Sequence, residues 1–415
     1  MKRNILLATI LLGMFSICAT AQYGQLAELT EGGTAQYDDV GFSVATNGNT
    51  VAVTGYQSAQ GSVLVFVEPN GGWGNMSQPT AVLTTSDQSA LNFVAISGTT
   101  IVATSSSGSA YVYVMPVGGW VNATQNAVLT ASDGAVLTNV AISGGTVVAG
   151  SPTANGVKTQ TGAAYVFVEP GGGWTGTVNQ AGKLTSKFGL TDDRMGVSVA
   201  IDGGTIVVGV PDKAIGKVCP AQGCRFFQGT AYVFVEPKNG WTNMTQTAGL
   251  TVAKGQAGDN FGASVSIAGN VVAVGASQAD TYTGPGEAYI YVEPKNGWSN
   301  SSQPTAKLYA SDGQKYAYFG SAISVSGNTV VVGAANGNVG SNIEQGAVYV
   351  YVEPSGGWKG LTQETQKLIS SDGTVGDQFA WAVSVNVTSG TTVIAAGAPY
   401  HQVGSSVAQG AAYVF

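Results

Sequence analysis

The sequence predicts an all-β, seven-bladed β-propeller with four antiparallel strands per blade, and three observations predict it. The first is a recurring phrase, AYVFVEPGGGW at residues 164–174, which returns ending at Trp73, Trp120, Trp241, Trp298 and Trp358, while AAYVF closes the chain at Phe415. Successive tryptophans lie between 47 residues (Trp73 to Trp120) and 67 residues (Trp174 to Trp241) apart, a period that in a strand-rich chain denotes a propeller or solenoid. The second is that each period carries the same four strand-like segments in the same order. The third is an offset: the last period lacks its fourth segment, and a matching one, QLAELT, stands at residues 25–30 near the other end.

The fifth period shows how the segments are read. GASVSI (262–267) alternates small or polar with apolar residues, as a half-buried strand does. A turn at Ala268 and Gly269 leads to NVVAVG (270–275), a continuous Val-rich run suited to a strand covered on both faces. EAYIYV (287–292) alternates with period two, and after a turn through 294–298 TAKLY (305–309) completes the unit. First strands are placed near Ser43, Val94, Val140, Ser198, Ser264, Ile323 and Val383, joined to the second by Gly-containing hairpin turns. An open sheet leaves unpaired edges, so residues 25–30 are expected to complete blade seven beside residues 411–415 and close the ring.

Composition agrees. Charged residues make up 9% of the chain, Gly numbers 60, and the formal net charge is −7. With no basic patch, nucleic acid is excluded as a partner. Residues 1–21 read as an export signal: Lys2 and Arg3, an apolar stretch at 5–17, and Ala19, Thr20 and Ala21 before a cleavage point at Gln22. Ile17 is too large to precede a lipidated Cys18. No later run has the length of a transmembrane helix. The mature product is thus expected to be a secreted monomer, a single propeller over 22–415, with Cys219 and Cys224 of CPAQGC forming one small-loop disulfide.

Several segments resemble the FG-GAP repeats of integrin alpha subunits and their bacterial secreted relatives. Phe261 with Gly262, and Phe319 with Gly320, match the FG element; Gly397, Ala398 and Pro399 match GAP. FG degrades to Val40 with Gly41, Met195 with Gly196 and Phe379 with Ala380, and is lost in blades two and three. The resemblance covers nearly all of 25–415 and implies a seven-bladed propeller used for adhesion or ligand binding. The family's calcium loops are not carried over, because the connections here are only NGN, SGG or AGN, too poor in oxygen ligands. No metal or cofactor is expected.

Residues repeated once per blade serve the blade. This covers Glu68, Glu169, Glu236, Glu293 and Glu353 before the repeated Pro, the six tryptophans, and Asp87, Asp133, Asp312 and Asp372 of the SD segments. Sequons begin at Asn75, Asn122, Asn243, Asn300 and Asn386. Topology separates two faces. Loops from strand one to two, and from three to four, are monotonous turns. The opposite face carries the length variation, at 211–228, 277–286, 335–345 and 399–409, and variable loops on a rigid scaffold are where function is placed. The candidate ligand residues there are Asp192, Asp193, Arg194, Arg225, Phe226, Phe227, Tyr282, Tyr316, Tyr318 and His401, the only histidine. No GxSxG supports a hydrolase triad around His401, and no spacing selects a carboxylate pair. The chain reads as a non-enzymatic binding or adhesion propeller for a protein or glycan. Two alternatives stand beside it: a lectin-like propeller with repeated inter-blade sugar sites, and a polysaccharide hydrolase or lyase with one axial site.

Overall fold

The computed structural model describes residues 23–32, 38–55, 61–156, 158–215, 227–278 and 284–415. Seven sheets form a ring, each with four antiparallel strands running from the axis outward. Blade five is typical: Phe261–Ala268 lies innermost, then Val271–Ala276, Glu287–Val292 and Ala306–Tyr309. The two middle strands are the most deeply buried, as their uninterrupted apolar runs require. The core is divided into seven clusters, each filled by side chains of two adjacent blades. The repeated tryptophans pack into six of these, each wedged against the preceding blade.

The ring closes as the offset predicts. Ala27–Leu29 pairs antiparallel with Ala411–Val414, placing Ala27 opposite Val414, Glu28 opposite Tyr413 and Leu29 opposite Ala412. Ala27 and Leu29 point into the cluster between blades seven and one, and Glu28 faces the other way.

The FG and GAP elements meet each other across blade junctions. Each FG segment is held by the preceding blade: the backbone N–H groups of Val40, Met195, Phe261, Phe319 and Phe379 donate to carbonyls of that blade's third-strand approach at 2.8–3.0 Å. The following glycine then lies against a glycine near the end of that blade's second strand. A Cβ on Gly209 would sit 2.0 Å from the Gly262 carbonyl, one on Gly275 2.0 Å from that of Gly320, and one on Gly150 2.1 Å from that of Gly196. In the two junctions that lack FG, a threonine replaces the second-strand glycine and uses its hydroxyl. Thr54 Oγ1 donates to the Asn92 carbonyl, and Thr104 Oγ1 to the Thr138 carbonyl at 3.2 Å.

The connection from strand three to four is more than the expected turn. It begins as one, with the Pro carbonyl accepting from the Gly three residues on (Pro294 from Gly297, 2.9 Å). It then reaches back to the preceding blade. Ala123–Thr124, Gly176–Asn179, Met244–Thr245 and Gly360–Gln363 each add a parallel fifth strand to that blade's outer edge. Four sequon asparagines are its clamps: the N–H groups of Glu28, Val82, Lys183 and Gly249 donate to Oδ1 of Asn75, Asn122, Asn243 and Asn300 at 2.7–2.9 Å. An otherwise exposed edge is covered in this way. Blade six is covered by the N-terminal segment, where Gln25 Oε1 accepts from the Ser371 N–H at 2.9 Å.

Two substitutions test this account. Leu29→Ala empties a fully buried site at the seam and is expected to cost about 2–5 kcal/mol of unfolding free energy, whereas Leu26→Ala, at a half-exposed neighbour, stays within about 0.5 kcal/mol. Equal effects would contradict closure through this strand. Gly262→Ala and Gly269→Ala both place a methyl at positive φ, but only the first meets a carbonyl, that of Thr230 at 2.5 Å. The first should lose about 2–5 kcal/mol and the second about 1–2 in chemical denaturation.

Candidate functional site

The inner strands surround an opening of about 680 Å³ on the variable-loop face. One repeat position governs its rim. The residue immediately after the FG glycine, or its equivalent, points to the axis in every blade: Phe42, Phe93, Asn139, Val197, Ala263, Ser321 and Trp381. In blades seven, one and two this residue is aromatic; in the other four it is small or polar. The rings form a continuous crescent. Phe42 lies 5.4 Å from Phe93 and 6.0 Å from Trp381 between centroids, and Tyr400 meets Trp381 edge-on at 6.0 Å. Trp381 is 37% and Tyr400 41% exposed, large for rings of this size outside the core. Burial and then the Asp39 carboxylate push the Tyr400 hydroxyl above its ordinary value, so it stays a neutral donor.

The rest of the rim is uncharged, with Asn139, Ser198 and Ser264 set among Val197, Ala263 and Val265. Ser321 Oγ and Gln378 Oε1 both line the opening and have no hydrogen-bond partner in the structure. Both atoms are themselves buried, so they are two unsatisfied polar groups beneath the surface of the opening. No carboxylate stands among the described residues lining the opening. At the other end of the axis the hairpins surround a second opening of about 520 Å³, and hydrogen bonds link neighbouring hairpins there, for example the Gly203 N–H to Ser143 Oγ at 3.1 Å and the Gly48 N–H to Asn386 Oδ1 at 3.0 Å.

Of the residues singled out in the sequence, Tyr318 alone lines this opening. Asp193 is buried in an ion pair with Lys213 at 2.7 Å, and Arg194 pairs with Asp212 at 3.2 Å. Asp192, Arg194, Tyr316 and Tyr318 adopt positive φ in the turns that lead into FG, so their backbones serve the repeat. Phe227 is 44% exposed beside the fourth blade. His401 is buried at the outer part of blade seven. Arg225, Phe226, Tyr282, Cys219 and Cys224 lie outside the described residues, as does the segment 1–22. Phe42, Phe93, Trp381 and Tyr400 were missed; aligning the position after FG or its equivalent across the seven repeats is the signal that finds the first three.

Residues 244–291, 303–351 and 362–415 match the FG-GAP repeat family. Those three stretches are FG-GAP repeats. The backbone is similar to the crystal structure of the computationally designed Ika8 protein, with a TM-score of 0.48 and 14% identity over 94% of this chain and 99% of that one. No curated protein matches the chain. No helix among the described residues is long and apolar enough to cross a membrane.

Four of the blades also share an outer electrostatic unit. The tyrosine of the third strand donates to the SD aspartate that precedes its blade: Tyr111 to Asp87, Tyr165 to Asp133, Tyr349 to Asp312 and Tyr413 to Asp372, at 2.5–3.0 Å. In blades three and six a fourth-strand lysine completes the unit, Lys183 to Asp133 at 2.7 Å and Lys367 to Asp312 at 2.6 Å. Burial works to raise both aspartates, but bonds from lysine and tyrosine outweigh it and hold both below their ordinary value of 3.8. A depressed carboxylate contributes stability above its unfolded value, lost as pH falls through the folded one. Thermal unfolding of Asp133→Asn/Asp312→Asn should therefore start below wild type near neutral pH and converge with it as pH falls from 3.8 through the depressed folded values. Parallel curves would show that the pairs contribute nothing.

Proposed function

We propose that this FG-GAP propeller is a secreted, non-enzymatic binding protein that takes a glycan at the axial mouth of its variable-loop face. The crescent of Trp381, Phe42 and Phe93, set against Ser321 and Gln378, carries the reading. Aromatic faces stack on the C–H faces of sugar rings, while hydroxyl and amide groups take up sugar hydroxyls. The uncharged rim suits a neutral saccharide. Repeated inter-blade sugar sites would need the same residues in most blades, and the rim position is aromatic in only three. A hydrolase or lyase at the axis would need a carboxylate pair there. Secretion rests on the charged, apolar and small-residue pattern of residues 1–21, and the disulfide between Cys219 and Cys224 on their spacing in an exported chain. A protein ligand is the second reading, favoured by exposed Tyr316, Ile343 and Val407 on the loops of the same face.

Binding of the mature chain to an array of neutral oligosaccharides, followed by calorimetry on the best, tests this. Selective, saturable binding is expected. Trp381→Ala and Phe42→Ala should each weaken it about ten-fold or more, and Leu361→Ala, exposed on a third-to-fourth connection, should leave it unchanged. Indiscriminate binding across the array, or full affinity in Trp381→Ala, would remove the glycan reading. Release of reducing ends from a polysaccharide would replace it with the enzymatic one.

A further inference from the structure

Blade seven departs from its sister blades where the two ends of the chain meet. In blades three, five and six the fourth-strand residue opposite the tyrosine is a lysine: Lys183 opposite Tyr165, Lys307 opposite Tyr289, Lys367 opposite Tyr349. Each lysine ammonium bonds a carboxylate, that of Asp133, Glu287 or Asp312. In blade seven the residue opposite Tyr413 is Glu28, and the carboxylate it faces is Asp372, which already accepts from the Tyr413 hydroxyl at 3.0 Å. Two acids thus converge where blades three, five and six put an acid and a base.

His401 enters the same space. Its Nδ1 lies 2.8 Å from Asp377 Oδ2. Asp377 is 2% exposed and is itself fixed by the backbone N–H and hydroxyl of Thr374, at 2.7 and 2.8 Å. A carboxylate behind one ring nitrogen sets the tautomer and aims the other nitrogen forward, as behind metal-ligating histidines. The forward Nε2 stands 3.6 Å from Asp372 Oδ2, beyond hydrogen-bond reach, although the side chain is 94% buried. One ligand atom from each of Glu28, Asp372 and His401 lies within 4.8 Å of the others. An ion about 2.0–2.2 Å from both Nε2 and Oδ2 would see them about 110–130° apart, an angle open to a four-coordinate metal.

We propose that Glu28, Asp372 and His401 Nε2 form a site for a divalent transition-metal ion, best matched by Zn²⁺, that takes the place of the missing lysine and ties the first strand to the last blade. One imidazole and two carboxylates suit zinc, while Ca²⁺ calls for six or more oxygens. The half-exposed Glu28 and the exposed Asp372 leave a fourth position to water. The three ligands come from the N-terminal strand, the connection between blades six and seven, and the 399–409 loop, so the ion stabilises only the closed ring.

The test uses the mature chain stripped with EDTA. Calorimetry should show one tight equivalent of Zn²⁺ and none of Ca²⁺ or Mg²⁺, and Zn²⁺ at about a hundred-fold excess over Kd should raise the melting temperature by about 3 °C. Glu28→Lys restores the sister-blade residue. It should melt higher than the metal-free wild type and lose both the zinc equivalent and the thermal response. His401→Gln should lose the equivalent as well, which separates this site from any zinc held by Cys219 and Cys224. Absence of zinc binding by the stripped chain, or an unchanged equivalent in Glu28→Lys, would overturn the proposal.

Discussion

The contact on which the rest of the ring depends is backbone against backbone. A glycine at the end of one blade's second strand lies under the carbonyl of the FG glycine, or its equivalent, in the next blade, with no room for a Cβ between them. This approach sets how closely the inner strands gather at the axis. Four junctions use a glycine on each side. Between blades six and seven Ala380 takes one side at φ 73°, which costs about 1–2 kcal/mol for a residue with a Cβ. The first two junctions keep the spacing differently, with a threonine hydroxyl donating to the carbonyl that a glycine would underlie. FG and GAP are therefore two halves of one joint, and their loss in blades two and three is matched by a change on the facing strand.

Because the joint does not use the side chain that follows FG, that position is open to variation. It projects into the axial opening and varies freely, from Ala263 to Trp381. Repetition elsewhere enforces sameness: the tryptophans, the clamping asparagines and the outer tyrosines each have a partner in the adjacent blade. A ring built this way becomes lopsided only at positions the joint leaves unconstrained, and the aromatic crescent occupies three consecutive blades at one such position.

The strands, their order and the closure at residues 25–30 were legible because each rests on a pattern repeated seven times: alternation, Val-rich runs and Gly-containing turns. The straps were not. They are two to four residues long, exposed and polar, so nothing in their hydrophobic pattern marks them as strands, and Asn75 or Asn243 reads as a sequon or a turn residue. The crescent was hidden for a different reason. Phe42 and Phe93 read as part of an apolar inner strand, and only the three-dimensional joint shows that their position faces the axis. Asp192 and Arg194 drew attention as charges in a loop, yet that loop needs left-handed backbone there, and Arg194 pairs locally with Asp212. The seam of Glu28, Asp372 and His401 joins segments from both ends of the chain, which no local pattern links.

The seam and the mouth share one loop. Tyr400 turns its ring to Trp381 at the axis, and the next residue, His401, turns to Asp377 and Asp372 at the outer edge. The His401 N–H donates to the Ala398 carbonyl at 3.1 Å and its carbonyl accepts from Gly410 at 3.0 Å, so the turn carrying both side chains is braced on the GAP segment of blade seven. Gly397 of that segment lies against Gly41 of blade one, the residue before Phe42. The joint between the last and first blades, the closing strand and half of the aromatic crescent thus belong to one packed unit. A chain that failed to close here would lose the alignment of Trp381 with Phe42, and with it the surface the axial mouth presents. Ring closure is in this sense a condition for the binding surface as well as for the fold.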